Sequence, residues 1–173
     1  MTSRNWSRIN YRSFSDLNEL VAEAATQLPD FDQIVGIPRS GMIPAAILAT
    51  ARNLPLADLN TFIFQNLDSS GRRLDLRSNR SPLVRHRALV VDDSINTGSQ
   101  MKKTRQILKQ LSWKWEFKFL AVFARPSLSS RQTVDYWLDE VQLPRVFEWN
   151  YRNHRLAEYS AYDLDGVLCE DPK

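Results

Sequence analysis

The sequence predicts an α/β protein in which a parallel sheet is flanked by helices. Short apolar runs, long enough for buried strands and too short for helices, alternate with segments whose apolar residues recur at helical spacing. Two of these runs lead into a small loop with glycine and then into a helical segment, the order found in open parallel sheets. With 173 residues, of which 43% are hydrophobic, the chain can form one ordinary domain with a substantial core.

Composition argues against several classes of protein. The formal charge of +3 is too small to predict nucleic-acid binding. The single cysteine, Cys169, rules out an internal disulfide and is typical of a reducing compartment. Residues 1–10 lack the apolar stretch of a signal peptide, and no apolar run approaches the length that spans a bilayer. We therefore expect a cytoplasmic protein that does not associate with membranes.

The N-terminal third predicts a helix, a strand and a second helix. Ser15 is expected to cap the first helix, and apolar residues follow at helical spacing until Pro29 ends it. Residues 33–37 are predicted to form a strand. The loop at 36–42 contains two glycines and Arg39 and precedes the second helix, so the amides at the start of that helix favour an anion site. A turn with a purely structural role is the alternative.

The middle of the chain combines a further predicted strand, 59–64, with an arginine-rich segment. Residues 65–87 contain no lysine and six arginines: Arg72, Arg73, Arg77, Arg80, Arg85 and Arg87. A solvated surface hairpin is one interpretation of this composition. The other is a segment whose guanidinium groups hold phosphate oxygens.

The most informative stretch is 88–99. Four apolar residues predict a buried strand, and Asp92 and Asp93 follow at its carboxyl end, where open α/β sheets bind ligands. A small polar loop comes next, and helical spacing begins at Gly98. The loop amides and the positive end of that helix favour a phosphate, while the paired carboxylates accept hydrogen bonds from hydroxyl groups. The stretch therefore predicts a site for a phosphorylated sugar.

Beyond that helix the sequence predicts three more strands, at 118–124, 134–138 and 146–149. The first is apolar enough to be buried. The last carries two aromatic residues, Phe147 and Trp149.

Residues 90–99 resemble the motif with which type I phosphoribosyltransferases bind 5-phosphoribosyl-1-pyrophosphate (PRPP). Both have an apolar strand, two acids, a short variable loop, then Thr-Gly and a small residue. The resemblance implies a Rossmann-like core with a small hood, and an enzyme that moves the 5-phosphoribosyl group of PRPP to a nucleobase with release of pyrophosphate. A P-loop nucleotide triphosphatase is excluded, because Met42 and Ile43 follow the glycine loop in place of a lysine and a hydroxyl residue.

The resemblance also assigns roles to individual residues. Asp92 and Asp93 would bind the ribose hydroxyls and, with Arg39, form the catalytic group. The 5-phosphate would be held by the loop and helix start: Ser94, Ile95, Asn96, Thr97, Gly98 and Ser99. Mg²⁺ would be held mainly by oxygens of PRPP, so no cluster of metal ligands from the protein is expected.

The leaving pyrophosphate would be held by Arg39, Ser40, Gly41 and Arg77. Relatives often have a non-proline cis peptide bond in this loop, and here it would be Pro38–Arg39. A β-branched residue at Gly41 is expected to crowd the anion and to weaken PRPP binding more than folding.

The nucleobase is left open. In relatives, aromatic residues of the hood cover the base, here Phe147 and Trp149, for which core packing is the alternative. Several purine-specific relatives have a carboxylate in place of Asn96, whose amide cannot act as a base. The lid lysines of orotate enzymes have no counterpart in 65–87. An orotate-like base and a purine both remain, and the alternative function is a PRPP- or nucleotide-sensing regulatory protein without transferase activity.

We expect residues 1–158 to form the phosphoribosyltransferase domain, with a mobile lid at about 65–87 and a hood from the N-terminus and about 145–158. A homodimer is also expected. The tail, 159–173, resembles at 162–168 the first motif of haloacid-dehalogenase (HAD) phosphatases. The other motifs of that family do not follow, so the tail is expected to be the start of a fused or associated HAD-type domain, or a remnant, without phosphatase activity.

Overall fold

The computed structural model describes residues 9–67, 85–127 and 131–153. The strands in these ranges are β1 (Asn10–Arg12), β2 (Gln33–Gly36), β3 (Leu56–Asp58), β4 (His86–Ile95), β5 (Trp115–Ala124), β6 (Tyr136–Glu140) and β7 (Arg145–Phe147). The α-helices are α1 (Phe14–Gln27), α2 (Met42–Ala51), α3 (Leu59–Leu67) and α4 (Ser99–Leu108). Short 3-10 helices cover Lys109–Leu111 and Glu148–Asn153.

Five strands form a parallel sheet in the order β3-β2-β4-β5-β6, with helices packed on both faces. The predicted α/β class is therefore confirmed. The chain runs from β2 outwards to β3 and then returns to β4 on the other side of β2. Such a change of direction opens a crevice between the loops that follow the two strands, and open α/β sheets bind ligands there. These loops are the two anion loops expected from the sequence.

The core forms two layers, one on each face of the sheet. Successive residues of β4 point to opposite faces, so Ala88 and Val90 pack with α3 and α4, whereas Leu89 and Val91 pack with α1 and α2. None of the four is more than 1% exposed. Burial on both faces explains why this strand is an unbroken apolar run in the sequence.

One predicted strand is wrong. Residues 59–64 form most of α3, and the strand β3 lies just before them. The Asp58 side chain accepts hydrogen bonds from the backbone N–H groups of Asn60 and Thr61 at 3.0 and 3.1 Å. These bonds satisfy free donors at the helix start, so the chain turns into a helix directly after β3.

The start of α1 also differs from the prediction. Ser13, and not Ser15, caps the helix. The Ser13 hydroxyl accepts a hydrogen bond from the Asp16 N–H at 3.2 Å, and the Asp16 carboxylate accepts one from the Ser13 N–H at 2.7 Å. This reciprocal capping box sets the point at which the chain passes from β1 into α1.

β1 and β7 form a separate two-stranded parallel sheet, which joins the two segments expected to build a hood. We call this sheet, with the 3-10 helix Glu148–Asn153 that follows it, the hood. The Arg12 guanidinium connects this sheet to the end of β6, with Nε and Nη2 at 3.1 and 2.9 Å from one oxygen of Asp139. The Glu148 carboxylate accepts a hydrogen bond from the Phe14 N–H at 2.7 Å, which joins the hood to α1. Residues 146–149, predicted as one strand, divide between β7 and the 3-10 helix that follows.

Several expectations fall outside the described residues. They include the hood beyond 153, the HAD-like tail and most of the arginine-rich segment, with Arg77. Arg87 lies near the start of β4, where its guanidinium donates to the Asp30 carbonyl at 2.8 Å. It is therefore at the amino edge of the sheet, on the side opposite the acid pair. Within the described ranges, no helix is long and apolar enough to cross a membrane.

Candidate active site

Asp92 and Asp93 lie within β4 and not beyond its end. Asp92 is aligned with Ala121 of β5, and the two acids are 8% and 5% exposed, so both are buried. The loop after β2 lies beside them, since the Ile37 N–H donates to the Val91 carbonyl at 2.9 Å. The acid pair therefore lies at the carboxyl side of the sheet, in the crevice between the two anion loops.

Burial makes it costly for both carboxylates to be ionised. Burial, reinforced by the neighbouring Asp93 charge, raises the pKa of Asp92 from 3.8 to about 8. Burial raises the pKa of Asp93 as well, but a hydrogen bond from Trp149 opposes the rise. In the free protein, burial therefore favours a protonated form of the pair over the form in which both carboxylates are ionised. Ligand hydroxyls that donate hydrogen bonds to the pair would favour its ionised form.

The 3-10 helix after β7 reaches back to this pair. The Trp149 indole N–H donates to Asp93 Oδ2 at 2.6 Å, and Asn150 Nδ2 lies 3.4 Å from the same oxygen. The Asn150 amide oxygen accepts a hydrogen bond from the Ser40 hydroxyl at 3.1 Å. This segment therefore connects the acid pair to the loop after β2.

The loop after β2 packs directly against the β4 backbone. A Cβ atom at Gly41 would lie 2.6 Å from the Ile37 carbonyl oxygen and 2.8 Å from that of Val91. The φ angle of Gly41, −64°, is open to any residue, so the glycine is required for space and not for backbone freedom. Valine at Gly41 would therefore weaken folding as well as binding, because two backbone segments would have to move to make room for it.

The remaining residues of this loop lie at the same edge of the sheet. The Pro38–Arg39 peptide bond is cis, as expected. Arg39 is exposed and Ser40 is partly buried. Because α2 begins at Met42, the positive end of its dipole lies at the edge that carries the acid pair.

The loop after β4 is shorter than expected. Ser94 and Ile95 belong to the strand, and the Ile95 side chain is 3% exposed in the core. Residues 96–98 therefore form the loop. Gly98 has a φ of +74°, in the left-handed region that favours glycine. A Cβ atom there would also lie 2.5 Å from the Thr133 methyl carbon, so this position excludes side chains on two grounds.

Hydroxyl groups and a helix terminus meet at the start of α4. The Thr97 and Ser99 hydroxyls lie 3.1 Å apart, and both residues are exposed. The first N–H groups of a helix have no partner within the helix, and they point out of its positive end. This combination of hydroxyls and amides suits a phosphate group.

Arg145 is a candidate that sequence reasoning missed. It is 8% exposed in β7, and its Nη2 donates to the Ile95 carbonyl at 2.8 Å, which brings the guanidinium to the end of β4. Burial lowers the pKa of Arg145, and the Asp93 charge opposes that change. Its Nη1 is buried and finds no acceptor among the described residues. Arg145 therefore offsets part of the negative charge of the acid pair from the hood side.

The two aromatic candidates for the base lie in different surroundings. Phe147 is 7% exposed and packs in the core layer of α1 and α2. It therefore has the core-packing role that was the alternative to contact with the base. Trp149 is partly buried and contacts Asp93.

In the part of the chain that is described, no group of three or more His, Cys, Asp or Glu side chains could hold a metal ion.

Comparison with known proteins identifies the family of this chain. Residues 10–159 match the family described as phosphoribosyl transferase domain. The chain is 29% identical over 149 residues to a xanthine-guanine phosphoribosyltransferase of Idiomarina loihiensis, which covers 82% of this chain and 87% of that protein. A xanthine-guanine phosphoribosyltransferase of Chromohalobacter salexigens is 32% identical over 116 residues, 65% of this chain and 63% of that protein.

Solved structures show the same fold. A purine phosphoribosyltransferase from Pyrococcus horikoshii has a TM-score of 0.57 and 23% identity, over 81% of this chain and 92% of that one. The Helicobacter pylori xanthine-guanine-hypoxanthine phosphoribosyltransferase has a TM-score of 0.62 and 15% identity, over 87% and 99%. The family match confirms the resemblance of residues 90–99. The chain therefore belongs to the phosphoribosyl transferase domain family and is an enzyme of the pentosyltransferase class.

Proposed function

We propose that this enzyme transfers the 5-phosphoribosyl group of PRPP to a purine and releases pyrophosphate. The observation that carries the proposal is the buried acid pair in the crevice between two loops, each of which begins a helix. The loop with Arg39 suits an anionic leaving group, and residues 96–99 suit a phosphate. The carboxylates between them suit the ribose hydroxyls, so one crevice can receive all three parts of PRPP.

Transfer breaks the bond between ribose C1 and pyrophosphate and forms a bond from C1 to a base nitrogen, which loses its proton. Positive charge develops on the ribose ring as the leaving group departs. Asp92 and Asp93 stabilise that charge once ligand binding has driven the pair to its ionised form. Arg39 offsets the charge of the departing pyrophosphate.

Magnesium fits this site as an ion that PRPP brings with it. The buried acid pair supplies negative charge near the ion, whose ligands would be mainly oxygens of PRPP, the ligand type that Mg²⁺ prefers. When bound, the ion would neutralise phosphate charge. The two loops and the acid pair would position the ribose and the leaving group.

A purine is favoured over an orotate-like base because curated relatives that are 29% and 32% identical are named xanthine-guanine phosphoribosyltransferases. Asn96 is exposed at the start of the loop after β4. The Asn96 amide cannot accept the proton that the purine loses, so that proton leaves by another route. Because these relatives are named for xanthine and guanine, oxygen-substituted purines such as these are the first bases to test.

The test is pyrophosphate release from PRPP and Mg²⁺ with xanthine, guanine, hypoxanthine, adenine and orotate in turn. We expect release with at least one 6-oxopurine and none with orotate. Release with orotate alone would contradict the purine assignment. PRPP binding without release for any base would favour the regulatory alternative.

A further inference from the structure

Trp149 lies in a stack of aromatic rings between the hood and the core. Its ring centroid is 5.1 Å from that of Phe147, with 15° between the ring planes, and 5.9 Å from that of Phe123, with 25°. Phe14, at the start of α1, packs on it at 5.6 Å. The stack fixes the plane of the indole and therefore the direction of its N–H.

That N–H points at one oxygen of the acid pair. The 2.6 Å distance from Trp149 Nε1 to Asp93 Oδ2 is short, as in hydrogen bonds to ionised acceptors. The Asn150 amide nitrogen approaches the same oxygen, and its amide oxygen is held by Ser40. Two consecutive residues of the 3-10 helix thus orient one buried carboxylate.

We propose that Trp149 is a positioning residue for the ribose site, which acts through its indole N–H on the Asp93 carboxylate. The inference rests on the proposed function, in which Asp93 accepts a hydrogen bond from a ribose hydroxyl. This positioning role replaces the contact with the base that was expected for Trp149. The indole N–H donates to Asp93, and one face of the ring is stacked on Phe147.

The groups around Asp93 determine what loss of this hydrogen bond would do. Asp92 lies beside it in β4, the Arg145 charge acts on it from β7, and Trp149 and Asn150 donate from the 3-10 helix. Because Trp149 is neutral, its replacement leaves the net charge unchanged. Removal of the N–H withdraws a donor that favours ionised Asp93, so full ionisation of the pair would require a higher pH.

The test is Trp149→Phe, which keeps an aromatic ring in the stack and removes the N–H. Loss of one hydrogen bond to a charged group is expected to weaken PRPP–Mg²⁺ binding about tenfold at neutral pH. The acid limb of the pH profile for PRPP binding should also move to higher pH. A residue that served only for packing would leave that limb in place.

Two controls separate the N–H from the ring stack. Trp113→Phe makes the same chemical change at a residue that is 69% exposed, and it should alter neither affinity nor pH profile. Phe147→Leu disturbs the stack that orients the indole but keeps its N–H, so it should move the acid limb less than Trp149→Phe does. A shift of the limb in Phe147→Leu equal to that in Trp149→Phe would overturn the inference.

Equal PRPP affinities and pH profiles for Trp149→Phe and the wild type would overturn the inference and leave the proposed function standing. Failure of the wild type to bind PRPP would instead overturn the proposed function. If Trp149→Phe does not fold, the NMR resonance of the Trp149 indole N–H in the wild type provides the test. It should shift at saturation with PRPP–Mg²⁺ while that of Trp113 does not, and an unmoved Trp149 resonance would overturn the inference.

Discussion

At the scale of residues, the site depends on two adjacent carboxylates in a buried strand. Their burial costs free energy, because ionised groups lose hydration there and repel each other. Protonation of the pair lowers this cost in the free protein, as do the Trp149 hydrogen bond and the Arg145 charge near Asp93. The pair is thereby set to respond to a ligand that supplies hydrogen-bond donors.

Asp92→Asn is expected to change the pH dependence of stability. The folded-state pKa of Asp92, about 8, lies above its ordinary value of 3.8, so the folded state binds more protons than the unfolded state between these values. The stabilisation from this carboxyl is therefore complete below about pH 4 and lost as the pH rises towards about 8. The variant cannot ionise at this position, so its unfolding free energy should decline less as the pH rises and should exceed that of the wild type at about pH 8.

Urea unfolding of the wild type and the variant between pH 5 and 8 measures this difference. Asp30→Asn is the matched control, because it makes the same chemical change at a side chain that is 97% exposed. The difference between the two variants isolates the effect of the buried carboxyl. Parallel stability profiles for Asp92→Asn and the wild type would contradict the raised pKa.

At the scale of elements, β4 carries most of the site. The sequence predicted its apolar part, the acid pair and the helix beyond, because these signals are local. It did not predict that Ser94 and Ile95 remain in the strand. Their alignment with Phe123 and Ala124 of β5 keeps them extended, and that alignment depends on a distant part of the chain.

α3 shows how tertiary contacts override a local preference. Residues 61–64 are of types favoured in strands, so a strand was predicted at 59–64. The cap at Asp58 favours a helix instead, and the helix packs Phe62 against the Trp115 ring, at 5.1 Å between centroids. The aromatic contact is not visible in a window of residue types, because Trp115 lies far away in the chain.

Gly98→Ala tests the loop between β4 and α4. A positive φ costs a non-glycine residue about 1–3 kcal/mol, and the added methyl would collide with the Thr133 side chain. Thr133→Ala removes the collision and leaves the backbone strain. In a double-mutant cycle by urea unfolding, the double variant should therefore be more stable than the sum of the single effects predicts. Additive effects would show that the Thr133 contact does not limit this position.

At the scale of the whole molecule, two features assemble the crevice. The change of direction between β2 and β4 brings the two anion loops together. The sequence predicted each loop at a strand-to-helix junction, and the family resemblance implied that both bind PRPP. The hood returns Arg145, Trp149 and Asn150 to the carboxyl end of β4. No local pattern predicted these contacts, because each joins segments that are far apart in the chain.

The central claim is that the acid pair in this crevice binds the ribose of PRPP. Calorimetric titration with PRPP and Mg²⁺ of the wild type and of Asp92→Asn/Asp93→Asn tests it most directly. Both substitutions keep the side-chain size, and together they replace a buried ionisable pair with neutral amides, so the double variant should fold. Loss of two charged acceptors should weaken binding by about a hundredfold or more, while Asp30→Asn binds like the wild type. Undiminished PRPP affinity in the double variant, or no binding by the wild type, would contradict the claim.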